Sequence, residues 1–214
     1  LAHCFENFKK WIEGNLMNQS IARSVASMLV RLDNNDSGSK AMLANLRGCN
    51  SITDRKATIV WPLIFENIET DDLSKTGVPT CAEKAVFSVL KLYAIYRQGS
   101  NTDTAYRSSF SKEQPGLTFF GSLAKLRKNE QIRDALDHRI QAVLASTNYD
   151  VAVNGIYHLM QILHSNLPNM EIDFAQLASD FYKYQCSFEN ARSICLLWGK
   201  QYFGLTNSKK HKGE

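Results

Sequence analysis

The sequence has little of what breaks regular structure. Four prolines and eleven glycines in 214 residues are too few for a collagen-like or disordered chain. No apolar run approaches the ~18 residues a membrane-spanning helix needs, so no membrane partner is expected. The opening residues, LAHCFENFKKW, mix acid and base within a turn and lack the apolar region of a signal peptide. Cysteine is sparse and unpatterned. Cys4, Cys49, Cys81, Cys186 and Cys195 form no CxxC pair and no zinc-like spacing with histidine. Five scattered thiols imply buried, reduced side chains in a cytoplasmic protein.

Catalytic signatures are also missing. There is no glycine-rich loop ending in Lys-Ser/Thr, no HExxH and no GxSxG. Asp137-His138 reverses the HD pair of helical metal phosphohydrolases, and the five histidines (His3, His138, His158, His164, His211) stand mostly apart. His158 and His164 are expected on different faces of one helix. Cys186 and Cys195 have no histidine close in sequence to act as base. No catalytic residue, metal or cofactor is expected, and the chain reads as non-enzymatic.

What is present is helical periodicity and dispersed positive charge. Hydrophobic residues make up 44% of the chain, its net charge is +4 and its pI about 8.8. That permits a polyanionic partner without demanding one. The strongest period lies within 121–146, where Ile132, Leu136, Ile140, Val143 and Leu144 recur at steps of three and four. Gly121 is expected to allow a close turn before it. At about 100° per residue, Arg133 and Arg139 fall on opposite edges of this stripe, with Asp134, Asp137 and Gln141 outside. Lys125, Arg127 and Lys128 form a basic knot just upstream. Other positive charges expected at the surface are Arg47, Arg55, Lys56, Lys84 and Arg97.

Taken in order, the chain predicts a helix around Phe5, Phe8, Trp11 and Ile12, and a second over Ile21 to Leu32. A turn at 33–40 precedes a helix carrying Met42, Leu43 and Leu46, with Arg47 at its end and Gly48 as C-cap. Pro62 kinks or breaks the segment from Thr53 to Ile68, and 66–75 reads as loop. Thr80 and Glu83 form a capping box that opens a helix through Arg97. The pattern vanishes over 99–117, a polar stretch whose Tyr106 and Phe110 suit base stacking and whose Arg107 and Lys112 add charge. A helix at Val151 to His164 and a turn at 165–169 come next. A second box at Asp173 and Gln176 opens a helix through Leu177, Phe181 and Tyr184. The last helix runs from about Phe188 to Phe203 with Ile194, Leu197, Trp198 and Phe203 on its apolar face, and a basic tail follows. No strand is expected. The fold class is all-α: two packed helical bundles, 1–117 and 118–214, joined by the long polar loop.

The order of these features resembles the CasB small subunits of the type I-E CRISPR Cascade complex. The resemblance rests on SKAMLANLRG (39–48), ATIVWPLIF (57–65), VLKLYAIYRQG (89–99) and FFGSLAKLR (119–127). It continues through ALDHRIQAVLAS (135–146), IYHLMQILHS (156–165), EIDFAQLASDFYKY (171–184) and ARSICLLWGKQYF (191–203). It implies a non-catalytic, helical, RNA- and DNA-binding subunit of an RNA-guided surveillance complex in antiviral defence. Such a subunit contacts the guide-RNA and target-DNA backbone and holds the displaced non-target single strand. The implied partners are the other Cascade subunits, guide RNA, target and non-target strands, and a second copy of the chain. Carried over by motif, the nucleic-acid contacts fall on Arg47, Lys125, Arg127 and Arg139; charge and helix geometry add Lys128 and Arg133. The alternative is a helical protein-interaction or assembly module without direct nucleic-acid contact.

Overall fold

The computed structural model describes residues 20–99 and 116–204. The helix expected around Phe5 to Ile12, nearly all of the polar stretch at 99–117 and the basic tail lie outside the described residues. Among those described, nine α-helices follow one another: α1 (20–32), α2 (Ser37–Gly48), α3 (Trp61–Asn67), α4 (Cys81–Tyr96), α5 (Phe119–Leu126), α6 (Glu130–Ala145), α7 (Tyr149–Asn166), α8 (Phe174–Cys186) and α9 (Phe188–Phe203). A 3-10 turn, Arg55–Val60, leads into α3, and the segment breaks there with Pro62 in the first helical turn. The break follows from proline's missing N–H, which only a first turn tolerates. The sole β-bridge among the described residues joins Leu117 to Ile172, through Leu117 N–H to the Glu171 carbonyl at 2.9 Å and Asp173 N–H to the Leu117 carbonyl at 2.8 Å.

Helix α4 is the centre of the packing. Thirteen of its sixteen residues are buried, so it must be enclosed on nearly every side. α2, α7 and α8 pack against it. The capping box at its start is complete: Glu83 N–H donates to Thr80 Oγ1 at 3.1 Å, and Thr80 N–H donates to Glu83 Oε2 at 2.8 Å. Two tyrosines of α4 reach into the second half of the chain. Tyr93 meets Phe174 edge-on at 5.4 Å. The Tyr96 hydroxyl donates to the Leu167 carbonyl at 2.8 Å and accepts from Met170 N–H at 2.7 Å. In the second half, the Trp198 ring lies between Phe120 at 4.8 Å and Tyr184 at 5.7 Å, stacked on both. Its indole N–H donates to buried Asp180 at 2.8 Å.

Several expectations need correction. The stretch from Gly121 is two helices, because the Asn129 side chain accepts from Gln131 N–H and starts α6 anew. Gly121 is buried inside α5, its N–H bonded to Thr118 Oγ1 at 3.1 Å, and makes no turn. Gly48 is the last residue of α2; Cys49 caps it in extended conformation. Asp173 does cap α8, but Gln176 turns forward to Asp180 at 2.9 Å, since the Asp173 N–H is already taken by Leu117. Leu197 is 39% exposed, and its place in the core of α9 is filled by Cys195 and Tyr202. Arg97 is 7% exposed and pairs with Asp33 at 3.2 Å, where the Tyr93 hydroxyl also bonds.

Burial raises the Asp180 carboxyl to about 6, against hydrogen bonds from Trp198 and Gln176 that favour its charge. The folded state therefore binds this proton more tightly than the unfolded chain. Its stability penalty is complete above about pH 6 and shrinks as pH falls towards the ordinary carboxylate range. Asp180→Asn removes the titration while keeping an acceptor for the indole. The variant should gain on the order of 1–3 kcal/mol over wild type at pH 8, with the gap about halved at pH 5 and closing only as pH falls below the ordinary carboxylate value of 3.8. Urea unfolding at several pH values measures this, and a pH-independent gap would contradict it.

Candidate nucleic-acid interface

Only Cys81, Lys84 and Lys91 of α4 escape full burial. Lys84 and Lys91 are seven residues apart and so lie near one line along the helix, and Gln98 follows in the turn just beyond its end. Facing this line is α7. Its buried residues, including Ile156, Leu159, Met160 and Leu163, occupy one side. The other side carries Asp150, Asn154, Tyr157, Gln161 and His164, at steps of four and three. The two helices run in the same direction, as successive contacts show. The Tyr149 hydroxyl bonds the Lys84 carbonyl at 3.2 Å and Ser88 Oγ at 3.1 Å. The Lys91 ammonium lies 4.4 Å from the centre of the Tyr157 ring, and His164 Nε2 meets the Gln98 carbonyl at 2.8 Å.

The seam between them is an open trench. Its N-terminal part is a cleft of about 440 Å³ that includes Asn50, Ser51, Phe87, Lys84 and Tyr149. Its C-terminal part, about 670 Å³, is lined by Arg47, Gln98, His158, Gln161, His164 and Ser165. Lys91, Asn154 and Tyr157 belong to both. A third hollow of about 360 Å³ continues over α7 to Arg139 and shares His158, Gln161 and Ser165. Arg139 is carried there by α6, which packs closely on α7 at Gly155. A Cβ at Gly155 would stand 2.6 Å from Val143 Cγ2, so any larger residue would push the helices apart.

Arg47 and Arg139 thus stand on opposite flanks of one trench. Arg47 donates to the Ala94 carbonyl at 3.2 Å and Arg139 to the Ala135 carbonyl at 3.3 Å. Neither is in an ion pair among the described residues. Lys91 sits between, its ammonium bonded to the Cys49 carbonyl and its pKa lowered chiefly by desolvation. Burial pushes the Tyr157 phenol up to about 12, so it stays protonated. His158 and His164 do point in different directions, as expected, but towards the two flanks of the same trench.

The other four sequence-chosen residues gather elsewhere, at the turn between α5 and α6. Lys125 and Lys128 are exposed. Arg127 is an internal tie: Nε and Nη2 donate to the two oxygens of Asp137 at 2.8 and 2.9 Å, with the guanidinium 5.6 Å from the Tyr202 ring centre and 5.2 Å from that of Phe203. Asp137 is consequently not on the outer face. It also accepts from the Tyr202 hydroxyl at 2.7 Å, and its pKa is lowered first by the Arg127 bonds. Arg133 donates to the Arg127 carbonyl at 3.2 Å and lies 3.5 Å from Glu130. Sequence reasoning missed Lys91, Asn154, Gln161 and His164 as trench residues. Their seven-residue and four-three spacings were the available signal.

Among the described residues, no three His, Cys, Asp or Glu side chains converge as metal ligands would, and no helix is long and apolar enough to cross a membrane. The four free cysteines described divide evenly: Cys49 and Cys195 are buried, Cys81 and Cys186 exposed.

Fold and site together define an all-α protein with a cationic, aromatic-containing trench. The chain belongs to the family of the CRISPR-associated protein Cse2, whose model matches residues 42–203, in agreement with the CasB-type resemblance. Its fold is similar to that of CasB from Thermobifida fusca, with a TM-score of 0.62 at 20% identity over 87% of this chain and 97% of that one. It is similar too to a CRISPR-associated protein of the Cse2 family from Thermus thermophilus, with a TM-score of 0.59 at 18% identity over 86% and 97%. A chain of a CRISPR RNA-guided surveillance complex matches with a TM-score of 0.59 at 17% identity over 87% and 97%. No curated protein sequence matches the chain.

Arg127→Ala should lower unfolding free energy by about 1–3 kcal/mol, and Asp137→Asn by a similar or smaller amount. Because Asp137 titrates below the ordinary carboxylate range, this stabilisation is present at neutral pH and fades as the solution is acidified through its folded pKa. A double-mutant cycle by thermal or urea unfolding at pH 7 measures the coupling; additive losses would show that the pair is not a structural tie.

Proposed function

We propose that this Cse2-family chain is a non-catalytic subunit of an RNA-guided CRISPR surveillance complex, acting in antiviral defence, and that its α4–α7 trench holds single-stranded nucleic acid by the phosphates. The observation that carries the reading is the junction of Arg47, Lys91 and Arg139 along one trench, with α4 buried everywhere except at that edge and its first residue. Arginine suits phosphate because its planar donors pair with two oxygens and its charge does not titrate away. A displaced strand has to be held whatever its sequence, and backbone contacts do that while guide pairing reads the bases. The displaced non-target strand is the preferred occupant, with guide RNA and the target backbone as neighbouring contacts. Lys125, Lys128 and Arg133 at the α5–α6 turn form a second basic surface for the same polyanions, and Arg127 supports it from within.

A specific observation also favours protein contacts. Phe188 and Leu196 on α9 are 65% and 61% exposed, beside a hollow of about 510 Å³ between α6 and α9 that includes Leu144 and Phe203. Apolar exposure of this kind suits other Cascade subunits or a second copy of the chain. Residues on either side of 117 form the two helical units of such a subunit, and its setting is the cytoplasm, where guide RNA is loaded.

Binding of a labelled single strand, followed by anisotropy over a salt series, tests the trench. Affinity should fall with salt and be indifferent to sequence. Arg47→Ala and Arg139→Ala should each weaken it severalfold and reduce the logarithmic salt slope by about 0.7 for each phosphate no longer neutralised. Unchanged affinity and slope in the double variant would refute the assignment.

A further inference from the structure

The N-terminal cleft differs from the rest of the trench in kind. Its floor is apolar, formed by Ile52, Phe87 and Val153, and the rings of Tyr149 and Tyr157 line it. Around that floor stand side-chain amides and hydroxyls, among them Asn50, Asn154 and Ser88. A hollow of about 440 Å³ with an aromatic lining and a few polar groups suits a flat heterocycle with hydrogen-bonding edges. Charge inside is mixed, since Asp150 and Lys84 both line the cleft, so it favours phosphate less than the open part of the trench does. The open part of the trench has the opposite character, with Arg47, His158 and His164 along it.

Lys91 stands where the two meet. It gives one of its three ammonium protons to the Cys49 carbonyl and rests over the Tyr157 ring. The remaining donors suit an anion at the boundary, and an anion there offsets the cost of holding a half-buried ammonium. Resting on the reading of the trench as a single-strand groove, we infer that this cleft is a nucleobase pocket: it takes one unpaired base of the strand, against the Tyr157 and Tyr149 side chains, while Lys91 holds the adjoining phosphate. The asparagine amides carry both donor and acceptor, so they accommodate the edge of more than one base. The pocket thus fixes the position of the strand along α7 and is tolerant of its sequence.

The test compares an oligothymidine with an abasic oligonucleotide of equal length and phosphate number, both binding the full chain at low salt. Wild type and Tyr157→Phe should prefer the base-bearing strand by about tenfold. Tyr157→Leu should cut the preference to about twofold or less, while the salt slopes of the two strands, set by phosphate number, stay alike. Asn154→Leu, at an exposed position that leaves the core untouched, should reduce the preference as well and serves if Tyr157→Leu fails to fold. Equal, salt-sensitive binding of both strands by wild type would overturn the pocket and leave the groove standing. Undiminished preference in the leucine variants would also overturn it, since the base would then be held elsewhere. No binding of either strand would overturn groove and pocket together.

Discussion

The enclosure of α4 is the constraint on which the rest depends. A helix apolar around nearly its whole circumference has one stable place, inside a ring of other helices. α2, α7 and α8 supply that ring, and Tyr93 and Tyr96 fasten it to the second half of the chain. Once the ring closes, α4 keeps surface access along a single edge, at Lys84 and Lys91. Burial of the apolar faces therefore decides where the positive charge goes. The trench is what remains when α4 and α7 lie side by side with their buried faces satisfied. The close α6–α7 approach at Gly155 then brings Arg139 to its far rim.

Arginine serves two incompatible purposes in this molecule. Arg97 and Arg127 are spent on the fold, each held against an aspartate and aromatic side chains where the guanidinium is shielded from solvent. Among the described residues, Arg47 and Arg139 donate only to backbone carbonyls, which leaves guanidinium donors for the proposed partner. The net charge is only +4, and the trench itself is lined by few cations, Arg47, Lys84, Lys91 and Arg139. A groove built from so few charges gains from an aromatic cleft, because stacking contributes affinity that salt does not screen.

Much of the fold was legible in the sequence. The four-three periodicity of α6 and α7, the Thr80–Glu83 box and the break at Pro62 each have a local cause and each occurs as read. The Cse2 family could be read from the ordered motifs. The details that failed were decided by distant partners. Nothing near Arg97 announces Asp33, and nothing around Asp137 announces Tyr202, so an arginine destined for the interior looks like a surface charge. The Asp173–Gln176 spacing predicts that Gln176 turns back, but buried Asp180 offers it a better partner. The candidate trench was legible only in part. Arg47 and Arg139 could be named, whereas their meeting across α7 required the parallel course of α4 and α7, which no local pattern encodes.

The proposal that single-stranded nucleic acid lies in the α4–α7 trench predicts where a strand touches the chain. Photo-crosslinking with an oligonucleotide carrying 4-thiothymidine at successive positions, followed by peptide mapping of the full chain, tests it most directly. Crosslinks should fall on α4 and the turn after it, from Lys84 to Gln98, and on α7 between Tyr149 and Ser165, and should fade as salt rises. Crosslinks confined to the α5–α6 turn or to the outer face of α9 would contradict it.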